Sequence, residues 1–381
     1  MLIFLLVFLS VYSALNYYVF IRGWQFLSAY PFLKPYYLIL FVVAAYSYII
    51  AKVLYNYLHP VIHDAFIWIG SFWFAYLVYF ILFLFVLDLG RIVGFKFNLF
   101  PTSFTENYEL VKQITAAVIV FVVTLIILSG YFNTRNINIR ILNIEIPKST
   151  SKLNELNIVM AGDIHLSPIN DEKFLSNIVT KINSLNPDIV LLPGDIIDDK
   201  AEVLKRLNIG ESFKMIKSKY GVFASNGNHE FINGVEDADR FLKENGIEVL
   251  RDTIVVIDDA FIISGREDRS ITNFTNKKRK SLNSILNGVD RSYPIILLDH
   301  TPVNLDQAIK SGIDLQLSGH THHGQMWPGN IITNLIYEIS WGYKKIANTQ
   351  YYVTSGAGTW GPPVRKGSTS EIVNIKINFT E

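Results

Sequence analysis

The stretch Gly319-His320-Thr321-His322-His323-Gly324-Gln325 follows a short apolar run at residues 315–317 and holds three of the chain's eight histidines. Neutral imidazoles at alternate positions after a strand suit a metal site, because their ring nitrogens bind zinc, iron and manganese well. A histidine tract on the protein surface would show the same short pattern. Other parts of the chain must therefore supply further ligands if this stretch belongs to a metal site.

Four other apolar runs end in the same kinds of polar residue. They lead into Gly162-Asp163-Ile164-His165, Gly194-Asp195-Ile196-Ile197-Asp198, Gly227-Asn228-His229-Glu230 and Asp299-His300. Turn chemistry accounts for the glycines and aspartates but not for the histidines, six of which lie at these five strand ends. Helical patterns at 171–185 and 235–245 alternate with the strands, which indicates an α/β fold with its site beyond the strands' carboxyl ends.

The two ends of this α/β region also have strand periodicity. Apolar residues alternate with polar ones at 137–141 and again at 142–146, with a one-residue slip that a β-bulge would give. Residues 373–379 alternate in the same way. We expect the two ends of the region to meet in one sheet.

The first third of the chain is apolar and aromatic. Stretches at 1–21, 36–56, 66–87 and 114–132 approach or exceed the roughly 20 apolar residues needed to cross a bilayer, and Tyr and Trp lie at their margins. The predicted organisation is a transmembrane region of about four helices at 1–132, a linker with the first strand at 133–155, and the α/β domain at 156–381.

Lysine and arginine in the loops predict the orientation. The first loop carries Arg22 and Lys34, and the third carries Arg91, Lys96 and Lys112, whereas the second carries neither type. The positive-inside rule then places the first and third loops in the cytoplasm and the α/β domain outside the cell membrane.

The membrane part is interpreted as an anchor, because no ionisable residues form a relay across the middle of a span. His59 and His63 lie beside Asp64 in the predicted second loop. They could bind a metal, but ordinary interfacial loop residues account for them as well.

Composition excludes several classes of protein. The chain has no cysteine, so disulfides, thiolate metal sites and a cysteine nucleophile are absent. Its formal net charge of +1 gives no electrostatic case for a nucleic-acid partner. A metal must be held by nitrogen and oxygen donors, which suit divalent ions.

The five blocks in this order resemble the calcineurin-like metallophosphoesterase superfamily, over residues 156–379. In more detail the chain resembles the membrane-anchored bacterial branch related to UDP-2,3-diacylglucosamine hydrolases. That branch is also similar in the late stretch Ser355-Gly356-Ala357-Gly358-Thr359, in Pro363 and Arg365, and in Glu371-Ile372. The resemblance implies a four-layer αββα sandwich.

The resemblance also implies roles for individual residues. A first ligand set would comprise Asp163, His165 and His322, and a second ligand set would comprise Asn228, His300 and His320. Asp195 would bridge two divalent ions, Mn²⁺, Fe²⁺ or Zn²⁺, and His229 would help the leaving group depart.

The implied activity is that of a membrane-anchored phosphoric ester hydrolase, a phosphodiesterase or phosphatase. Two ions about 3.5–4 Å apart can hold a hydroxide for in-line attack on a phosphoester or pyrophosphate bond, so no protein nucleophile is needed. The substrate would be lipid-linked or a nucleotide, beside the lipid bilayer. The main alternative is a non-catalytic metal-binding membrane receptor or scaffold, and a transporter is a third hypothesis.

Several residues keep two interpretations. Asp198 could lie behind the metal ligands or cap a helix, and His323 could contact substrate or face solvent. Arg365 offers a planar fork to a phosphate but equally suits a structural salt bridge. The basic run at 277–280 could attract anionic lipid or begin a solvated helix. The alignment of Gly265-Arg266-Glu267-Asp268 with a turn of the family stays open.

Overall fold

The structure is a computed structural model that describes residues 2–147 and 151–380. Residue 1, residues 148–150 of the predicted linker and residue 381 lie outside those ranges. The chain divides into two compact units. The first comprises Met1–Tyr131 with Gly361–Val364, and the second comprises Phe132–Trp360 with Arg365–Glu381.

The first unit is helical. Its helices are α1 (Leu2–Phe26), α2 (Lys34–Val53), α3 (Pro60–Lys96), α4 (Thr102–Glu106) and α5 (Tyr108–Arg135), with 3-10 turns at Leu27–Ala29 and Pro31–Leu33. Four helical segments are long and apolar enough to cross a membrane, Leu6–Ala29, Pro31–Val53, Pro60–Lys96 and Tyr108–Arg135. The prediction of four apolar spans is therefore confirmed.

The third span is longer than its sequence pattern suggested. Because α3 begins at Pro60, His63 and Asp64 lie in its first turns and not in the loop before it. His63 is buried, and its Nδ1 lies 2.9 Å from Oδ1 of Asp64. Farther along α3, Asp88 pairs with Arg22 of α1, so the charged pair neutralises itself within the helices.

The second unit contains two six-stranded sheets. In order across the first sheet, the strands are β1 (Asn138–Pro147), β12 (Glu371–Thr380), β2 (Glu155–Met160), β3 (Ile189–Pro193), β4 (Val222–Ser225) and β5 (Glu248–Val249). Across the second they are β10 (Gly342–Ile346), β11 (Thr349–Val353), β9 (Leu315–Ser318), β8 (Ile295–Leu298), β7 (Phe261–Gly265) and β6 (Thr253–Ile257).

Short helices connect the strands. They are α6 (Glu172–Ser184), α7 (Ala201–Arg206), α8 (Asn228–Asn233), α9 (Val235–Glu244), α10 (Ile271–Phe274), α11 (Leu282–Ile285), α12 (Asp306–Lys310) and α13 (Gly329–Ile336), with 3-10 turns at Glu211–Met215 and His322–Gly324. The predicted helices at 171–185 and 235–245 are thus present as α6 and α9.

Successive side chains of a strand point to opposite faces of the sheet, and both faces are covered, which gives the domain its layers. In β3, Ile189 and Leu191 pack between the two sheets, whereas Val190 and Leu192 pack under α6 and α9. A third apolar cluster joins the outer face of the second sheet to α11 and α12. Strands buried on both faces are apolar throughout, as these are. The predicted four-layer αββα sandwich is confirmed.

The two ends of the second unit meet in one sheet, as expected. β12 lies between β1 and β2 and pairs with β1 in unbroken parallel register from Asn138 to Pro147. The predicted β-bulge is therefore wrong. The slip in the pattern arises because Ile139 and Ile141 point outward and are exposed, while Ile144 and Ile146 point into the core of the same straight strand.

Candidate metal centre

The loops after β2 and β9 bring together the first ligand set, Asp163, His165 and His322. All three side chains are buried, and Nε2 of His165 lies 2.9 Å from Nε2 of His322. Nitrogen ligands about 2.1 Å from one ion and at right angles to each other lie about 3 Å apart, so this spacing suits a shared cation.

The loops after β4, β8 and β9 bring together the second ligand set, Asn228, His300 and His320. Nδ1 of His320 lies 2.8 Å from Oδ1 of Asn228. Nδ1 of His300 donates to the carbonyl oxygen of Pro193 at 2.9 Å, which leaves the lone pair of its Nε2 available to a metal.

Asp195, after β3, lies between the two sets. Its Oδ2 is 3.1 Å from Nε2 of His300 and 3.7 Å from Nε2 of His165. Its Oδ1 accepts a hydrogen bond of 2.9 Å from the backbone N–H of His229. One carboxylate therefore reaches both sets, and the same backbone contact fixes its orientation.

The pKa shifts of Asp195 and His320 favour the protonation states that bind a cation. Burial alone would raise the pKa of Asp195, but His300, His229 and His165 hold it well below its usual range. Burial, together with His300, lowers the pKa of His320 to about 4, so this imidazole keeps its lone pair at neutral pH. Asp195 thus offers an ionised carboxylate and His320 a neutral imidazole, a pair of donors that fits divalent metals.

The pKa shifts of His300 and His322 show where positive charge is favoured. Although burial opposes it, Asp195 raises the pKa of His300 well above its ordinary value. Burial, His165 and Arg365 instead lower the pKa of His322 well below its ordinary value. A cation is therefore stabilised beside Asp195, where either a proton or a metal can supply the charge.

The backbone that carries these ligands is strained. Positive φ angles of 46–71° occur along the ligand loops, at Asp163, His165, Asp195, His320, His322 and His323. Each such residue costs of order 1–3 kcal/mol and persists only where the surroundings impose it. Gly319 is needed for the same close packing, since a Cβ there would lie 2.5 Å from Oδ2 of Asp163.

His229 is held by a carboxylate. Its Nδ1 lies 2.5 Å from Oδ1 of Asp198, which also lies 3.6 Å from Nδ1 of His165. Burial opposes protonation, but Asp195 and Asp198 outweigh it and raise the pKa of His229 to about 9. Asp198 thus lies behind two site histidines; the N-cap of α7 is Lys200 instead.

Glu230 is a site residue that sequence reasoning missed. Its buried carboxylate accepts four backbone hydrogen bonds of 2.7–3.0 Å, from Asp195, Ile196, Ile197 and Gly227. It therefore joins the loop after β3 to the loop after β4. The only signal in the sequence was its place in Gly-Asn-His-Glu.

Arg365 is fully buried beneath the first ligand set. Its guanidinium donates to the carbonyl oxygens of Ser355 and Gly358, both at 2.6 Å, and of His322 at 3.3 Å. Its Nη2 also lies 3.2 Å from Nδ1 of His322. This position favours holding the loop of His322 over a direct contact with substrate.

The other residues with open roles lie around the site. His323 is half-buried, with its ring against Trp341 at 5.1 Å and its Nδ1 3.3 Å from the Ser340 hydroxyl. Asp268 is buried and accepts a hydrogen bond from Thr301 at 2.9 Å. Within the basic run, Arg279 pairs with Asp299 at 3.0 Å, and the three lysines are exposed.

Comparison with known proteins agrees with this geometry. The family model of calcineurin-like phosphoesterases matches residues 156–324. A transmembrane protein with metallophosphoesterase domain from Danio rerio is 34% identical over 249 residues, which are 62% of this chain and 56% of that protein. An uncharacterized metallophosphoesterase of Campylobacter jejuni is 33% identical over 282 residues, which are 71% of this chain and 72% of that protein.

A third relative, an uncharacterized metallophosphoesterase of Aquifex aeolicus, is 33% identical over 61% of this chain and 87% of its own length. The chain spans 56% of the length of the Danio rerio relative and 63% of that of a relative from Helicobacter pylori. The four long apolar helices support a membrane protein. With its matching fold and ligand-bearing strand ends, the chain belongs to the calcineurin-like metallophosphoesterase family.

Proposed function

We propose that the chain is a membrane-anchored, two-metal phosphoesterase that hydrolyses a phosphoester or pyrophosphate bond. The observation that carries this proposal is the placement of Asp195 within 3.7 Å of histidines from both ligand sets. A carboxylate with two oxygens can reach two cations at once. Structural metal sites need no such sharing, whereas two-metal hydrolases depend on it.

The first ligand set would hold one ion, the second ligand set would hold the other, and Asp195 would contact both. All donors are nitrogen or oxygen, which suits Mn²⁺, Fe²⁺ or Zn²⁺. Bound there, divalent ions would supply positive charge for the phosphoryl oxygens and a water molecule of lowered pKa.

His229 would donate a proton to the leaving oxygen. The contact of 2.5 Å with Asp198 holds its Nδ1, so the other ring nitrogen remains for the substrate. Asp198 would therefore act by fixing the ring, as the carboxylate partner of a catalytic histidine does.

The side of the membrane and the class of substrate are inferred from the sequence. The distribution of Lys and Arg supports an extracytoplasmic site. A phosphodiester that is lipid-linked, or a nucleotide, fits a site on a membrane protein. The resemblance to UDP-2,3-diacylglucosamine hydrolases supports a lipid-linked substrate, and a protease added to intact cells should cleave the second unit if it lies outside.

The activity is tested with the purified full chain and bis-p-nitrophenyl phosphate, in Mn²⁺, Fe²⁺ and Zn²⁺. We expect metal-dependent hydrolysis by the wild type and none by Asp195→Asn. Metal content, measured by mass spectrometry, should be two ions per chain for the wild type. If the wild type binds two ions but hydrolyses neither this nor monoester or pyrophosphate substrates, the enzyme proposal fails and the receptor hypothesis replaces it.

A further inference from the structure

Helix α13 is amphipathic in the opposite sense to a helix of a soluble domain. Its aliphatic side chains are exposed, by 50% for Ile331, 55% for Ile332, 83% for Leu335 and 68% for Ile336. The polar Thr333 faces inward, where its hydroxyl accepts a hydrogen bond of 2.9 Å from Ser340. A helix normally buries its apolar face against the core, so this one has an apolar face without a partner among the described residues.

Two tryptophans extend this apolar face. Trp327 and Trp360 are 51% and 53% exposed. The backbone N–H and carbonyl of Trp360 form hydrogen bonds of 3.0 Å with the side chain of Gln325, which fixes its place. We define the apolar rim as Trp327, Ile331, Ile332, Leu335, Ile336 and Trp360. Contiguous exposed apolar surface of this kind marks a binding surface.

The apolar rim borders the metal centre. The ring of Trp360 lies 6.0 Å from that of His229, and the ring of Tyr337, directly after α13, lies 6.1 Å from that of His320. The sequence connects them too, since α13 begins five residues after the His322–Gly324 turn. Whatever covers the apolar rim therefore lies next to the reacting groups.

The arrangement of the chain indicates that a lipid bilayer can bind the apolar rim. Only residues 136 and 137 separate the last membrane helix, α5, from β1 of the second unit, so the domain stays within reach of a bilayer. Aliphatic side chains flanked by tryptophan are the residue types of a membrane interface. Eight residues make a helix of about 12 Å, which can lie in the interface but cannot span it.

We propose that the apolar rim inserts into the surface of the lipid bilayer and places the metal centre against phosphate esters carried by membrane lipids. The docking rests on the exposed apolar rim and on the short connection between α5 and β1, and it does not depend on the proposed activity. The lipid-borne substrate class rests, in addition, on the proposed function.

Docking is tested without any measurement of catalysis. Because the chain has no cysteine, Leu335→Cys offers a single attachment point for a polarity-sensitive fluorophore in the full-length protein. The matched control is Met215→Cys, at a side chain that is 54% exposed on another element. In phosphatidylcholine and phosphatidylglycerol nanodiscs, the label at 335 should shift to the blue and be quenched by doxyl-labelled lipid, whereas the label at 215 should do neither.

Two outcomes would overturn the docking proposal. One is a label at 335 that stays as exposed to water as the label at 215. The other is a label at 335 that is shielded from water yet untouched by doxyl lipid, which would assign the apolar rim to a protein partner or a second copy of the chain.

The substrate class is tested with two substrates that share a leaving group. Bis-p-nitrophenyl phosphate is soluble in water, and hexadecyl p-nitrophenyl phosphate partitions into the nanodisc. The double variant Leu335→Gln, Ile336→Gln should keep the first activity and lose at least roughly tenfold of the second, because two inserted aliphatic side chains are removed. An unchanged ratio of the two activities overturns the lipid-borne substrate, whereas a wild type inactive on both contradicts the proposed function and leaves the docking result intact.

Discussion

The two ligand sets differ both in a ligand and in their surroundings, because the first contains the carboxylate of Asp163 where the second contains the neutral amide of Asn228. The first set is buried and lies over the guanidinium of Arg365; burial, His165 and this guanidinium together lower the pKa of His322. In the second set Asn228 and His320 are partly exposed, and the carboxylate of Asp268 opposes the lowering of the His320 pKa. A fixed positive charge beside one position and a negative charge beside the other should make the two ions bind unequally.

This difference indicates that the two metal positions have different roles. The buried first position would act mainly as a fixed element of the site, whereas the second, where Asn228 and His320 are partly exposed, would be the one that substrate meets. We therefore expect two distinct binding steps in a calorimetric titration of the metal-free protein. Substitutions at Asp195 and at each ligand set should reveal that asymmetry.

The largest effect is expected from Asp195→Asn, which keeps the shape of the side chain but removes its charge. Loss of the shared ligand should reduce turnover by roughly a thousandfold or more, since metal stabilisation is worth several kcal/mol. Metal content by mass spectrometry should fall for both positions together. A variant that keeps two ions and its turnover would show that Asp195 does not bridge the sets.

The next largest effect is expected from substitutions that remove one ligand set at a time. His322→Ala should remove the ion of the first set, and His320→Ala that of the second, each with a loss of about a hundredfold in turnover. The matched control is His323→Ala, whose ring contacts Trp341 and which should keep both ions. If His322→Ala and His320→Ala leave the same residual titration step, the assignment of histidines to different ions is contradicted.

A smaller effect is expected at a residue behind both sets. Asp198→Asn should reduce turnover ten- to hundredfold, because Asp198 orients His229 and His165 without binding metal. The number of bound ions should stay at two. Asp306→Asn, which breaks only an exposed pair with Lys310, is the control and should leave turnover unchanged. Loss of an ion in Asp198→Asn would make this residue a ligand.

The smallest effect concerns the asymmetry alone. Asp268→Asn should weaken binding of the second-set ion about three- to tenfold and leave the first-set ion unaffected, because a nearby negative charge is lost. Calorimetry would measure both steps in one titration. Equal weakening of the two steps would mean that Asp268 acts on the fold of the site rather than on one ion.

Local patterns in the sequence were enough to predict much of this site. The alternation of apolar runs with Asp, Asn and His predicted the strand ends, because strands buried on both faces are recognisable without knowledge of their partners. The contacts that orient the ligands were not predictable in this way. Glu230 binds backbone groups 33 to 35 residues away, and nothing in its neighbourhood in the sequence records that distance.

The fold shows the same limit. The apolar pattern at Ile331, Ile332, Leu335 and Ile336 is that of a buried helix face, and only the structure shows that it points outward. Likewise, the slip between Ile141 and Leu142 resembles a bulge until β12 is seen to pair with β1 without interruption. Patterns give the period of a segment but not the surface against which it packs.

The position of β12 has a consequence for the order of folding. Among the described strands it is synthesised last, yet it lies between β1 and β2 and pairs with residues more than 200 positions earlier. While the ribosome makes the intervening chain, β1 waits beside the last membrane helix with an open strand edge, which invites aggregation. The membrane helices, which are synthesised first, can therefore insert before the sheet is complete. A nascent chain stalled before residue 371 would have its anchor in the bilayer and its first sheet in two pieces.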